Sequence, residues 1–440
     1  KGGWVNDVNG IWYYGGVYHL AYQHHPHGLD WGPMHWGHAT STDMMHWTQQ
    51  PIMLEPGDNV PGDCFSGSTV VDINNTSGFK TGTNPVFVTI YTATTKGTCL
   101  AYSNDLGATW QAHSGNNVNV GGPDHNTRDP HVFWYAPTSK WVCLLYENGT
   151  TFYTSPDLKN WTKVSNYSFG FECPDFFELP VDGGATKKWV LQDASGKYHI
   201  GDFNGTVFTP TDTDGPYKMD LGPDFYAAQT FYRPTFPDNR LVQLAWLDAW
   251  NGGTETSPWR KEFTFPAELK LVTTAAGIRV ARYPISEIST LYSSTKNWGP
   301  QILSQESDLL AGIGSKTFDM TYQFDLQNTT ATSINLQIAN KIITYDVVNQ
   351  TLLGQPLPAI SNKVKIRVLT DWGQLEVFGN DGIFSWSEQV AFTPSDWTVS
   401  LTANGDLNLV AATFSNVNRT WPGTVPFVHV TGVSLNTTSK

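Results

Sequence analysis

The sequence predicts an all-β chain, a five-bladed β-propeller followed by a C-terminal β-sandwich. Three observations predict it. A short Ser-x-Asp segment ending in Trp recurs through the N-terminal half, Gly and Pro are abundant while amphipathic helical patterns are scarce, and clean period-two alternation takes over near residue 300.

The repeat justifies the blades. Ser41-Thr42-Asp43-Met44-Met45-His46-Trp47, Ser103-Asn104-Asp105-Leu106-Gly107-Ala108-Thr109-Trp110 and Ser155-Pro156-Asp157-Leu158-Lys159-Asn160-Trp161 follow β-like runs at 37–40, 98–102 and 151–154. Each reads as a hairpin tip. The Asp accepts backbone N–H bonds in the turn, and the Trp opens the next strand and packs under it. Gly201-Asp202-Phe203-Asn204-Gly205-Thr206-Val207-Phe208 is a fourth, weaker copy. Roughly 290 residues at somewhat over 50 per blade give five blades.

The pattern changes at Tyr283-Pro284-Ile285-Ser286-Glu287-Ile288, so the propeller is placed at 1–285, a short and partly helical linker at 286–299, and the sandwich at 300–440. Strands are expected at 317–326, 333–339, 341–348, 364–370, 374–379, 397–402 and 407–414. Lys363-Val364-Lys365-Ile366-Arg367-Val368-Leu369 shows half-buried alternation, and Asn380-Asp381-Gly382 is a hairpin signal.

Composition fits two domains, because 440 residues exceed what one core usually holds. A net charge of −13 argues against nucleic acid or an anionic membrane as partner and suits a neutral substrate. No apolar run approaches the roughly 20 residues of a membrane span. The 18 Trp are mostly expected in sheet cores, although indole faces are also platforms for sugar rings. Asn-x-Ser/Thr acceptors at Asn74, Asn75, Asn148, Asn160, Asn166, Asn204, Asn328, Asn349, Asn418 and Asn436 point to a secreted, extracellular glycoprotein. No signal peptide is visible, in keeping with mature numbering. Cys64, Cys99, Cys143 and Cys173 are too scattered for a disulfide framework or a zinc site, with a single Cys64–Cys99 bridge as one option.

Three acidic motifs carry the chemistry: Trp4-Val5-Asn6-Asp7, Arg128-Asp129-Pro130 and Phe171-Glu172-Cys173-Pro174. Two carboxyls facing one glycosidic bond are the minimum for sugar hydrolysis, and a third can hold hydroxyls. Inner strands of successive blades converge at one mouth of a propeller, so acids from separate blades can meet there. Asp7 lies in a turn-rich segment before a strand at 11–14, where a plain Asx turn is the competing explanation. Arg128 beside Asp129 either holds it ionised or forms an ordinary surface ion pair. Glu172, flanked by Phe171, Cys173 and Pro174, is placed in apolar surroundings that favour the protonated acid. Asp175 and Glu178 are rival acids nearby. His19, His24, His25, His27, His35, His38 and His46 invite a metal, but strand alternation scatters them and no His-Glu-x-x-His helix exists. No metal or cofactor is called for; His24, His25 and His27 read as a polar rim.

These motifs resemble those of glycoside hydrolase family 32, which includes invertases, inulinases, levanases and related fructosyltransferases. Further matches are Tyr22-Gln23-His24-His25-Pro26, Trp31-Gly32, Trp36-Gly37-His38-Ala39, Phe65-Ser66-Gly67-Ser68, Gly222-Pro223-Asp224-Phe225-Tyr226-Ala227-Ala228, Pro258-Trp259-Arg260 and Leu375-Glu376-Val377-Phe378. The resemblance covers nearly the whole chain. It implies a retaining β-fructofuranosidase acting on sucrose or fructans such as inulin or levan, with Asp7 as nucleophile and Glu172 as acid/base. Asp129 with Arg128 would hold fructose hydroxyls. Asn6, Gln23, Trp31, Phe65, Ser66, Asp224 and Trp259 would line the fructose pocket. Retention would place the two working carboxyls about 5–5.5 Å apart.

Two departures stand out. The family's Asn-Asp-Pro-Asn-Gly is Asn6-Asp7-Val8-Asn9-Gly10, and its Gln-Tyr-Asn-Pro is Gln23-His24-His25-Pro26. A fructosyltransferase on the same scaffold and a non-catalytic carbohydrate-binding homologue are the alternatives. Trp372, Trp386 and Trp397 of the sandwich are read as packing rather than glycan contacts, and a homodimer is left open.

Overall fold

The computed structural model describes residues 2–57, 62–123, 125–212, 214–232, 235–247, 259–305, 307–392 and 397–420. Pro258, the Asn436 acceptor and the C-terminal end of the expected sandwich range lie outside the described residues. The propeller is five sheets, each beginning with an innermost strand at the axis: Gly3–Tyr14, Cys64–Asp72, Arg128–Tyr135, Asp175–Pro180 and Phe225–Thr230. In the first blade the chain then runs outward through Val17–His25, His35–Ser41 and Trp47–Gln49, and the other blades repeat this antiparallel order. Apolar side chains on both faces of each sheet pack blade against blade. Val70, Phe87, Leu100 and Tyr153, for example, share one core across blades two and three.

The hairpin tips behave as their sequence requires. Asp43, Asp105 and Asp157 each accept backbone N–H bonds from the turn and a hydroxyl from the Ser two residues earlier. Trp47, Trp110 and Trp161 return their indole N–H to a carbonyl three residues back. The fourth copy differs. Asn204, not Asp202, collects the turn's N–H groups, and Asp202 pairs instead with Lys188 at 2.9 Å.

Ring closure is non-covalent. Trp259–Arg260 adds a short parallel strand beside Gly3–Trp4, so the far end of the propeller grips its beginning. The Cys64–Cys99 bridge is not made; all four cysteines are buried free thiols. Cys64 and Cys99 lie on the first and third strands of blade two, with Val86–Ala93 between them. Two strand spacings, roughly 9–10 Å, exceed the Cα separation a disulfide allows.

The sandwich consists of two sheets. One runs Tyr292–Trp298, Leu407–Val417, Thr317–Asp325, Lys363–Asp371, Gln374–Gly379, Phe384–Gln389; the other includes Thr398–Ala403, Ser333–Ile338 and Lys341–Asp346. Phe318, Phe324, Leu336, Tyr345, Val364 and Leu401 fill the space between them. Within the stretch read as a linker, Ser286–Leu291 is a 3-10 helix but Tyr292–Trp298 is an edge strand paired to Leu407–Val417. Its mostly exposed, polar side chains hid it from a search for alternation. The two domains are laced by buried ions. Arg282, Asp220 and Glu376 are buried together, and Glu376 also accepts the Phe265 N–H at 2.6 Å.

Two buried histidines give a testable stability signature. His19 and His38 stack with Trp12 and share one hydrogen bond at 3.1 Å. Burial pushes His19 down to about 3 and His38 down to about 4. The unfolded chain binds these protons near pH 6.5 and the folded chain does not, so stability is lost as pH falls from about 6.5 towards 4. Buried Asp129 and Asp175, each pushed up to about 7, act in the opposite sense, so the test is a difference between two chains. His38→Gln should flatten the acid-side decline in thermal midpoint measured by circular dichroism; an unchanged slope would acquit the pair.

Candidate active site

The mouth of the propeller is built from irregularities. In the first strand, Val5 pairs with His24 and Val8 with Tyr22, then Ile11 with Leu20, so two bulges fall at Asn6–Asp7 and Asn9–Gly10. Each inserts one extra residue and re-aims side chains that regular pleating would direct elsewhere. The turn expected around Asp7 is therefore a doubly bulged strand. Gly10 has φ +112, and a β-carbon there would collide with Thr69, a position that admits no side chain. Val8, where the family pattern has Pro, is buried in an apolar cluster with Tyr22 and Phe231.

The same device recurs. Bulges lie between Phe65 and Gly67, at Asp129–Pro130, and at Ala227–Ala228 just after Tyr226. Asp129 itself has φ +64. In the fourth blade, Glu172 and Cys173 both take left-handed backbone conformations, φ +56 and +38, immediately before the inner strand. Such conformations cost about 1–3 kcal/mol each in non-glycine residues and concentrate at functional sites.

These elements bring the three acids together. Asp7 Oδ2 accepts the Ser66 hydroxyl at 2.6 Å and the Cys173 thiol at 3.4 Å, while Oδ1 accepts only the Asn6 amide at 3.1 Å. Burial raises the Asp7 carboxyl above its usual range; these three donors pull it back, and the charge of Glu172 adds to the rise. Asp129 Oδ2 accepts the Cys173 N–H at 3.1 Å and lies 3.8 Å from the Arg128 guanidinium. Burial, reinforced by Asp7 and Glu172, pushes Asp129 up to about 7. Cys173 thus touches both aspartates, and burial holds its thiol protonated and able to donate.

Glu172 is held differently from the expectation. Arg128 binds Oε1 through Nε at 3.1 Å and an Nη at 2.6 Å, and the Tyr226 hydroxyl donates to Oε2 at 2.7 Å. Its surroundings are polar. Phe171 turns outward, half exposed, and packs edge-on against Tyr146 beneath the Arg128 guanidinium. Of the rival acids, Asp175 is fully buried against Thr230 and His131, and Glu178 pairs with Lys187 further along the channel.

The other expected residues divide into two groups. Asn6, Ser66 and Arg128 contact the acids directly. Trp31 and Trp259 remain 45% and 44% exposed, and Phe65 meets Trp31 edge-on at 5.7 Å. Gln23 is buried, donating to the Cys64 carbonyl at 2.8 Å. Asp224 lies on the seam with the sandwich, where Oδ2 accepts the Gln389 N–H at 2.8 Å. His24 is buried against the Trp4 carbonyl, whereas His25 is half-buried and His27 exposed, their rings edge-on to each other at 6.4 Å. Among the described residues no group of three His, Cys, Asp or Glu could hold a metal.

Three contributors were not singled out from sequence. Tyr226 and Cys173 lay inside recognised motifs, and only the fold reveals what they touch. Asn9 is fully buried, and in the amide orientation that satisfies its neighbours it donates to Ser66 Oγ at 3.0 Å and accepts from Gln23 and Trp36. It therefore aims the hydroxyl that holds Asp7. Tyr226→Phe deletes one hydrogen bond to a charged carboxyl and should lower kcat/KM roughly 10- to 100-fold with the fold intact. Steady-state kinetics alongside a melting curve checks this.

A five-bladed propeller with three clustered carboxyls at one mouth and half-exposed indoles on the neighbouring segments defines a carbohydrate-active hydrolase. Comparison with known proteins narrows the class. The family model "Glycosyl hydrolases family 32 N-terminal domain" matches residues 1–284, and "Glycosyl hydrolases family 32 C terminal" matches 287–419. The chain belongs to glycoside hydrolase family 32. It is 37% identical to a levanase of Bacillus subtilis over 97% of this chain and 70% of that protein. It is 31% identical to an extracellular exo-inulinase of Aspergillus niger, over 95% of this chain and 93% of that one. Its fold matches the crystal structure of exo-inulinase from Aspergillus awamori with a TM-score of 0.84 at 27% identity, covering 96% and 97% of the two chains. A fructofuranosidase from Schwanniomyces occidentalis, complexed with fructosylnystose, matches with a TM-score of 0.85 at 25% identity, covering 95% and 96%.

Proposed function

We propose that the protein is a retaining β-fructofuranosidase that hydrolyses terminal fructosyl linkages of sucrose and fructans through a covalent fructosyl-enzyme. The observation that carries this reading is the unequal treatment of Asp7 and Glu172. Asp7 has one oxygen held by two donors and the other by a single amide, which leaves Oδ1 to attack the anomeric carbon. Glu172 has Oε1 filled by Arg128, which leaves Oε2, beside the Tyr226 hydroxyl, as the oxygen that exchanges a proton with the leaving group and water.

In the first step Asp7 forms the bond to C2 while Glu172 protonates the departing oxygen. In the second, Glu172 takes a proton from water, which attacks C2 and releases Asp7. Asp129, fixed by one hydrogen bond from the Cys173 N–H and beside Arg128, holds fructose hydroxyls as positive charge develops on the ring. Trp31, Phe65 and Trp259 supply the apolar walls. The relatives named above as levanase, exo-inulinase and fructofuranosidase support a fructosyl substrate.

Secretion fits the exposed acceptor residues Asn74, Asn160, Asn204, Asn328 and Asn349 and the relative named extracellular. Among the described residues no helix is long and apolar enough to cross a membrane. Timed product analysis on sucrose, inulin and levan tests the proposal. Free fructose released steadily from a polymer without intermediate oligomers is the expected result. Longer oligosaccharides from sucrose would assign a transferase instead, and no product from any of the three would reject the reading.

A further inference from the structure

Past the acids, the same inner strands enclose a second space. A cavity of about 410 Å³ lies further along the propeller axis, lined mainly by inner-strand residues that follow the active-site ones in the chain, with Lys187, Trp189 and Leu241 from the neighbouring strands. None of Asp7, Asp129, Glu172, Cys173 or Tyr226 borders it. Cross-channel hydrogen bonds mark the division. Gln229 of the fifth blade donates to the Gly67 carbonyl of the second at 2.7 Å, and Ser68 bridges to Pro130 and Val132 of the third.

The lining has a definite chemistry. Phe133, Trp134, Phe177, Trp189 and Phe231 give it aromatic walls. The only formal charges in it are Glu178 and Lys187, which cancel in an ion pair at 3.1 Å. Burial keeps His131 neutral, lowering it to about 4. The Thr69 hydroxyl, 2% exposed, has no hydrogen-bond partner among the described residues. His131 Nδ1 reaches only to 3.4 Å from Asp175, outside hydrogen-bond geometry. Orphaned buried polar groups call for a partner. Aromatic faces, uncharged donors and a volume within the range of small-molecule pockets match a sugar and disfavour an ion.

We propose that this far mouth of the propeller channel is a second sugar site, taking one neutral monosaccharide or a polyol of similar size. Ala136 and Pro137, exposed on a short turn after the third blade's inner strand, border its entrance. Thr69 and His131 supply hydrogen bonds inside, and the aromatic walls take the apolar face of the ring. The site is separate from the acids and needs neither Asp7 nor Glu172.

Crystals of the full chain soaked in a concentration series of fructose test this directly. The expected result is saturable density in the channel cavity as well as beside the acids. Thr69→Val should weaken the channel density, and Ala136→Trp, an exposed change that fills the mouth, should abolish it, both leaving density at the acids unchanged. Density beside the acids alone, or only ordered water in the cavity at saturation, would overturn the proposal. Channel density that survives both substitutions would also overturn it. Density in the channel without any at the acids would instead count against the fructosidase reading.

Discussion

Replacing Asp7 by Asn should lower turnover on sucrose by something on the order of 10⁴- to 10⁶-fold, the loss expected when a covalent nucleophile is removed. The amide keeps the size of the carboxylate, and Ser66 and Cys173 still find an oxygen to which they can donate. With the oxygen kept there, the amide nitrogen takes the place of Oδ1 and only the Asn6 hydrogen bond is given up. Melting temperature and substrate affinity should therefore change little. Mass spectrometry of the unmodified chain, quenched during turnover, should find a fructosyl adduct on the peptide carrying Asp7, and the Asn variant should show none. Turnover within tenfold of normal would transfer the nucleophile's role elsewhere.

Glu172→Gln should cost roughly 10²- to 10⁴-fold, the usual worth of general acid–base help. Its signature separates it from Asp7→Asn. A fructoside with a highly acidic leaving group needs little protonation, so its first step should be nearly normal and the fructosyl-enzyme should accumulate. Sucrose, whose leaving group is a sugar hydroxyl, should suffer the full loss. Arg128 would remain beside an uncharged amide, which makes Arg128→Lys a useful companion: it keeps the charge but gives up the two-pronged grip on Oε1. Equal losses on both substrates would remove Glu172 from the acid's role.

Much of this architecture was legible because it rests on local physics. The Asp turns at Asp43, Asp105 and Asp157 announce hairpins through side chains that satisfy nearby backbone. Alternation at Lys363–Asp371 announces a strand because one face is buried. That Asp7, Asp129 and Glu172 meet in space was expected from their motifs, and shared contacts through Cys173 and Arg128 join them. What escaped was non-local or aperiodic. A bulge breaks the two-residue period, so the strand carrying Asp7 read as a turn. The closing strand Trp259–Arg260 pairs with residues more than 250 positions away. Tyr292–Trp298 is nearly all polar on its exposed face, leaving no apolar stripe to find. Glu172 was placed in apolar surroundings because its sequence neighbours are apolar, whereas its spatial neighbours, Arg128 and Tyr226, come from two other blades. Linear adjacency is a poor guide to environment wherever the backbone turns left-handed.

The bulges in the inner strands have an evolutionary side. Each is a surplus residue relative to the partner strand, and the side chains that meet at the acids ride on that surplus. Deleting one residue at Asp129–Pro130 would restore an unbroken ladder there, and deleting one at Asn6–Asp7 would remove the first of that strand's two bulges, each with better backbone pairing. It would also turn the carboxyl towards the opposite face of its sheet. The shortest path from this protein to a sturdier propeller is thus a one-codon loss that silences it. Insertions and deletions here are consequently under a harsher filter than most substitutions, and a descendant that kept the fold but abandoned the chemistry would be recognisable by straightened inner strands.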